Sequence, residues 1–146
     1  VEIYDDGVEV LFRSEAPSDT AVRVALVSVG AFVETALAAA TSLDAAGYAV
    51  TVVDPRWVVP VAESIVQTAS EHDMVVTLED GVIHGGVGSL LSEALSAAGI
   101  DTPLRHLAVP EEFLDHASRS EILHDQKLDA EGVAQRILDW LQQDRS

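Results

Sequence analysis

Short apolar runs alternate with helical patterns along the chain, separated by polar or glycine-bearing breaks. The run Val22-Arg23-Val24-Ala25-Leu26-Val27-Ser28-Val29 is Val-rich, nearly continuous in apolar character, and closed by Gly30. Such runs suit strands covered on both faces, where neither side meets water. Tyr48 to Val53, Met74 to Leu78 and Leu104 to Val109 read the same way, and Val8 to Arg13 predicts a further strand ahead of them. Helical patterns lie between. Ala31 to Ala46 is Ala-rich, with Val33, Leu37 and Ala40 at helical spacing and Gly47 as a stop. Ala62 to Ser70 places Ile65, Val66 and Ala69 on one face, with Pro60 near the start. Val87, Leu90, Leu91, Ala94, Leu95 and Ala98 share a helical face that ends at Gly99, and Asp129 can cap a last helix facing inward through Val133, Ile137, Trp140 and Leu141.

This alternation predicts an α/β fold with three layers, α/β/α, around a mostly parallel sheet. Residues 1–21 read as a leading strand and loop, and 22–146 as the body of what is expected to be a single domain overall. The polar segment Pro110 to Asp125 is expected to run over the surface to the last helix.

Charge narrows the partners. Eight Lys and Arg against 25 Asp and Glu leave a formal charge of −17, with no basic cluster to offset it, so neither nucleic acid nor an anionic membrane is an expected partner. The absence of Cys removes disulfides, thiolate zinc sites and a cysteine nucleophile, and agrees with a reducing, cytoplasmic setting. No run of apolar residues is long enough for a membrane span, and no signal peptide is visible. The chain opens on Val1 rather than Met, which is expected of a piece cut from a longer polypeptide.

Candidate chemistry centres on Glu79-Asp80-Gly81-Val82-Ile83-His84-Gly85-Gly86-Val87-Gly88-Ser89, which follows the third long apolar run and opens the third helix. Ligands of open α/β sheets sit beyond the carboxyl ends of the strands, and a glycine-rich loop entering a helix can hold an anion through backbone N–H groups. Gly85, Gly86 and Ser89 are therefore candidate anion ligands; the alternative is that the glycines serve a tight turn and close helix–sheet packing. Gly81 to Gly86 has the first spacing of a P-loop, but Val87-Gly88 replaces Lys-Ser/Thr, and Leu91 breaks a dinucleotide-binding spacing. His84, beside Glu79 and Asp80, is a candidate acid/base group or an interface histidine. Arg56, after the second long run, could clamp an anion bidentately, pair with a carboxylate, or pair across a subunit boundary, with Trp57 as a packing anchor. The five histidines fall on separate elements with no H-x-x-x-H pair, so no metal site is expected.

These segments together resemble the C-terminal domain of 1-deoxy-D-xylulose-5-phosphate synthases, thiamine-diphosphate enzymes of the transketolase group. The resemblance runs from about Val22 to Leu141. It rests on Val24 to Gly30, Val52-Val53-Asp54-Pro55-Arg56-Trp57-Val58-Val59-Pro60, the Glu79–Ser89 motif, Leu107 to Ser118 and Leu128 to Val133, in that order and spacing. Transketolases and β subunits of 2-oxo-acid dehydrogenases share parts of the pattern. Lys127 stands where the family often has Gly, and Glu79-Asp80-Gly81 replaces its usual Glu-Glu-Gly. The resemblance implies a five-stranded mixed sheet with one antiparallel strand, which Val8 to Arg13 would supply. It also implies a parent transferase that condenses decarboxylated pyruvate with glyceraldehyde 3-phosphate, using thiamine diphosphate and Mg²⁺ bound by upstream domains. The family's Gly-Asp-Gly cofactor motif is absent from this chain. No catalytic residue is therefore carried over, and the chain alone is expected to be inactive. Its expected partners are the upstream domains of the same polypeptide and a second copy in a homodimer. Arg56, Glu79, Asp80, His84, Gly85, Gly86 and Ser89 are its anion-binding or interface candidates.

Overall fold

The computed structural model describes residues 2–4, 6–15, 19–29, 33–55, 62–81, 87–110 and 129–145. In chain order the elements are β1 (Glu2–Ile3), β2 (Glu9–Arg13), β3 (Arg23–Ser28), α1 (Val33–Ala45), β4 (Ala49–Asp54), α2 (Glu63–Ser70), β5 (Met74–Gly81), α3 (Val87–Ala97), β6 (Leu104–Pro110) and α4 (Ala130–Arg145). They form one sheet in the order β1-β2-β4-β3-β5-β6. β4, β3, β5 and β6 are parallel, and β2 runs antiparallel to β4. The five long strands are the mixed sheet that the family resemblance implies; the two-residue β1 extends its edge through Glu2↔Val10 and Ile3↔Glu9.

The near-continuous apolar runs have their reason in the layers. Alternate residues of each central strand enter opposite cores. Val24, Leu26, Val50, Val52, Val76 and Leu78 pack under α1 and α4 with Leu43, Val133, Ile137 and Leu141. Ala25, Val27, Val53 and Val75 pack under α2 and α3 with Ile65, Ala69, Leu91 and Leu95. Each fully buried Leu, Ile or Met in these cores contributes about 1.5–3 kcal/mol of burial free energy. Asp129 caps α4 by accepting the Gly132 N–H on Oδ1 at 2.9 Å. Gly47 and Gly99 end α1 and α3 at φ +97° and +71°, where a side chain would be strained.

The structure corrects two local expectations. The buried stripe of α1 is Ala36, Ala39, Ala40 and Leu43, with Leu37 only partly covered. An Ala-rich helix has apolar positions all round, so its pattern does not select a face; contact with α4 does. In α2, Thr68 rather than Val66 is fully covered, its hydroxyl donating to the Ser64 carbonyl at 2.7 Å.

β2 carries a bulge. Val10 lies opposite Val53 and Phe12 opposite Val52, so two steps on β2 match one on β4. Val10 packs into the α2/α3 core, whereas Leu11 and Phe12 both pack against the α1/α4 core. Arg13, opposite Thr51, is thereby returned to the α2/α3 side.

Candidate functional site at the carboxyl edge of the sheet

β5 continues three residues past its apolar run. Glu79, Asp80 and Gly81 pair with Ala108, Val109 and Pro110 of β6, so the acidic pair stands on a strand end rather than in a loop. The parallel ladder carries these polar residues because it needs only their backbone. α3 begins six residues beyond Gly81, and Ser89 is exposed in its first turn. Of the other candidates, Arg56, His84, Gly85 and Gly86 lie outside the described residues.

The structure brings together three residues at this edge that sequence reasoning did not connect. Thr77 of β5 and His106 of β6 are cross-strand neighbours, and the Thr77 hydroxyl lies 2.8 Å from His106 Nδ1. Thr77 is fully buried, while His106 stays largely exposed. The ring lies against the first turn of α3: a Cβ on Gly88 would come 2.7 Å from His106 Cε1. A side chain at position 88 would therefore have to displace the His106 ring from its place against Thr77. A glycine one residue into a helix, with a polar residue midway along each neighbouring strand, was the available signal; only the strand register joins them.

On the other face, Ser28 ends β3 opposite Leu78. Its hydroxyl is fully buried and finds no hydrogen-bond partner among the described residues. Cavities lined by described residues open elsewhere. One of about 390 Å³ runs along α2 past Asp6, Ser64 and Glu71, and two of about 190 and 430 Å³ lie at the amino edge of the sheet. Among the described residues no group of three or more His, Asp or Glu side chains could hold a metal ion. Among the described residues, this edge supplies packing, backbone pairing and a hydroxyl–imidazole bond. Among the described residues no helix is long and apolar enough to cross a membrane.

Comparison with known proteins agrees with the architecture. Residues 18–133 match the family model for the transketolase C-terminal domain. The chain is 50% identical over 141 residues to a 1-deoxy-D-xylulose-5-phosphate synthase of Corynebacterium glutamicum (strain R), covering 97% of this chain and 22% of that protein. It is 52% identical over 135 residues to the synthase of Rhodococcus jostii (strain RHA1), covering 92% of this chain and 20% of that one. The chain thus spans about a fifth of the length of these relatives. A solved split-gene transketolase, described as an inactive β4 tetramer, superposes with a TM-score of 0.74 at 26% identity, covering 95% of this chain and 43% of that one.

Proposed function

This chain belongs to the transketolase C-terminal domain family, and from that premise we propose that it is the structural and dimer-contact domain of a 1-deoxy-D-xylulose-5-phosphate synthase. The parent enzyme condenses pyruvate, with loss of CO₂, with glyceraldehyde 3-phosphate to supply isoprenoid, thiamine and pyridoxal precursors. Thiamine diphosphate and Mg²⁺, held by the upstream domains, supply the carbanion chemistry. The present residues brace those domains and contact a second copy; alone they turn nothing over.

The observation that carries this reading is the match itself: half-identity across nearly the whole chain but only 22% of the synthase. Identities of 50% and 52% to synthases, against 26% to a transketolase, favour a synthase parent within the family. The description of the superposable transketolase chain as an inactive tetramer supports a role in assembly without turnover.

The test has two arms. The chain mixed with thiamine diphosphate, Mg²⁺, pyruvate and glyceraldehyde 3-phosphate is expected to release no product above blank; turnover would overturn the non-catalytic role. Removing the matching span from the Corynebacterium glutamicum synthase is expected to shift its sedimentation towards monomer. An unchanged dimer would overturn the contact role.

A further inference from the structure

At the opposite edge of the sheet from the Glu79–Ser89 segment, Arg13, Ser14, Arg23, Thr51 and His72 line a cavity of about 190 Å³. In a chain with 25 carboxylates and eight Lys and Arg, two of those eight cations and one of the five histidines converge here. Each arrives from a different element. The β2 bulge turns Arg13 to this side, Arg23 opens β3, and His72 follows α2.

The polar floor is built from covered groups. Ser14 and Thr51 are 8% and 5% exposed. Ser14 Oγ accepts the Val50 N–H at 2.9 Å. His72 Nδ1 lies 2.6 Å from the Thr68 carbonyl and Nε2 lies 3.1 Å from Thr51 Oγ1. A carbonyl only accepts, so Nδ1 carries the proton, and in the neutral ring Nε2 accepts from the Thr51 hydroxyl.

We propose that this cavity is a binding site for a small oxyanion, a phosphate or carboxylate group, held between Arg13 and Arg23 above the Thr51 hydroxyl. The planar Arg23 guanidinium suits two-oxygen recognition of either group, and Arg13, whose Nη2 donates to Tyr4 Oη at 3.2 Å, adds its charge. The volume lies below the roughly 300 Å³ at which pockets for drug-sized ligands begin, so the site fits a single anionic group rather than a nucleotide. It lies at the amino ends of β3 and β4, away from the carboxyl end of β5.

His72 couples this site to protons. Burial holds its pKa below the ordinary value; the bond to the Thr68 carbonyl opposes this, Arg23 and Arg13 add to the lowering, and Glu71 opposes it. Asp73, next in sequence, accepts the Arg23 backbone N–H at 2.8 Å. The charged groups around the ring are therefore Arg13 from β2, Arg23 from β3, and Glu71 and Asp73 flanking it, while β4 contributes the neutral Thr51. A bound anion offsets the two guanidinium charges and favours the imidazolium. Nε2–H then donates to Thr51 Oγ1, and the hydroxyl hydrogen turns to the anion. By linkage, anion affinity rises as pH falls through the His72 pKa, and the anion raises that pKa.

The test is a titration with inorganic phosphate, followed through the His72 Cε1–H resonance at constant ionic strength, with acetate as a second arm and chloride as the reference. A saturable shift and a raised His72 pKa are expected with phosphate, acetate or both. The stronger of the two identifies the group recognised. Arg23→Gln is expected to weaken the response at least about tenfold, as loss of a charged hydrogen bond does. No saturable shift with either anion would overturn the proposal. So would an undiminished response in an Arg23→Gln variant with native circular dichroism. The wild-type titration decides the matter by itself if that variant does not fold.

Discussion

α2 begins without a cap of its own. Ala62 precedes it in extended backbone, at φ −66° and ψ 139°, and has no side-chain acceptor to offer the first turn. Asp6, 58 residues earlier, supplies it. One carboxylate oxygen accepts the Ser64 N–H at 2.9 Å; the other accepts the Ser64 hydroxyl at 2.8 Å and the Val8 N–H at 3.4 Å. Removing a capping acceptor costs about 0.5–2 kcal/mol. Asp6 is exposed, so the freed groups regain water, and Asp6→Ala is expected to cost about 1 kcal/mol. For a chain of this size that lowers Tm by about 2–4 °C. Asp6→Asn keeps an acceptor but loses the charge at the helix N-terminus, and should cost about 0.3–1 kcal/mol. The dependence on acid gives a second signature. Burial pushes the Asp6 carboxyl up, but the bonds from the Ser64 N–H, the Ser64 hydroxyl and Val8 outweigh it and hold the pKa below 3.8. The unfolded chain therefore binds this proton more readily. The contribution is whole above pH 3.8 and is lost as pH falls through the lower folded value. Urea unfolding of wild type, Asp6→Ala and Asp6→Asn, at neutral pH and in acid, measures both. Equal midpoints for wild type and Asp6→Ala at neutral pH, or a gap that widens in acid, would refute the reasoning.

Two further substitutions probe the carboxyl edge. Gly88→Ala should force the His106 ring off α3 and leave the buried Thr77 hydroxyl unpaired, a cost of about 1–3 kcal/mol against a helix-propensity gain of about 1 kcal/mol. It is expected to destabilise wild type in thermal melts but stabilise a His106→Ala background; stabilisation of both would show that the close approach imposes nothing. Ser28→Ala removes a buried hydroxyl that has no partner among the described residues, and is expected to raise stability by about 1 kcal/mol. A loss of stability would show that the hydroxyl is satisfied.

How much was legible from residues alone follows the range of the interaction. β3, β4 and β5 were readable because a parallel strand covered on both sides leaves an unbroken apolar run, as Val24 to Val27 shows; β6, at the sheet edge, showed only through Leu107-Ala108-Val109 beyond the exposed His106. The Asp129 cap was readable because its donor lies three residues away. Asp6 was not, since nothing local to either partner marks a bond spanning 58 residues. The extension of β5 through Glu79-Asp80-Gly81 was hidden because ladder pairing with β6 ignores side-chain polarity. The Thr77–His106–Gly88 contact is a matter of register, which periodicity does not encode. The glycine motif was visible as a string, and its flanks, Glu79 to Gly81 and Gly88, are where the described residues carry it.

The extra residue between Val10 and Phe12 makes the phase of an edge strand a switch for charge placement. Were the strand to keep every residue but run without the bulge, simple alternation from Val10 would carry the guanidinium of Arg13 across to the layer occupied by α1 and α4 and put the Phe12 ring in its former surroundings. The local kink of the edge ribbon, as much as the identity of residue 13, is therefore what sets a cation beside His72.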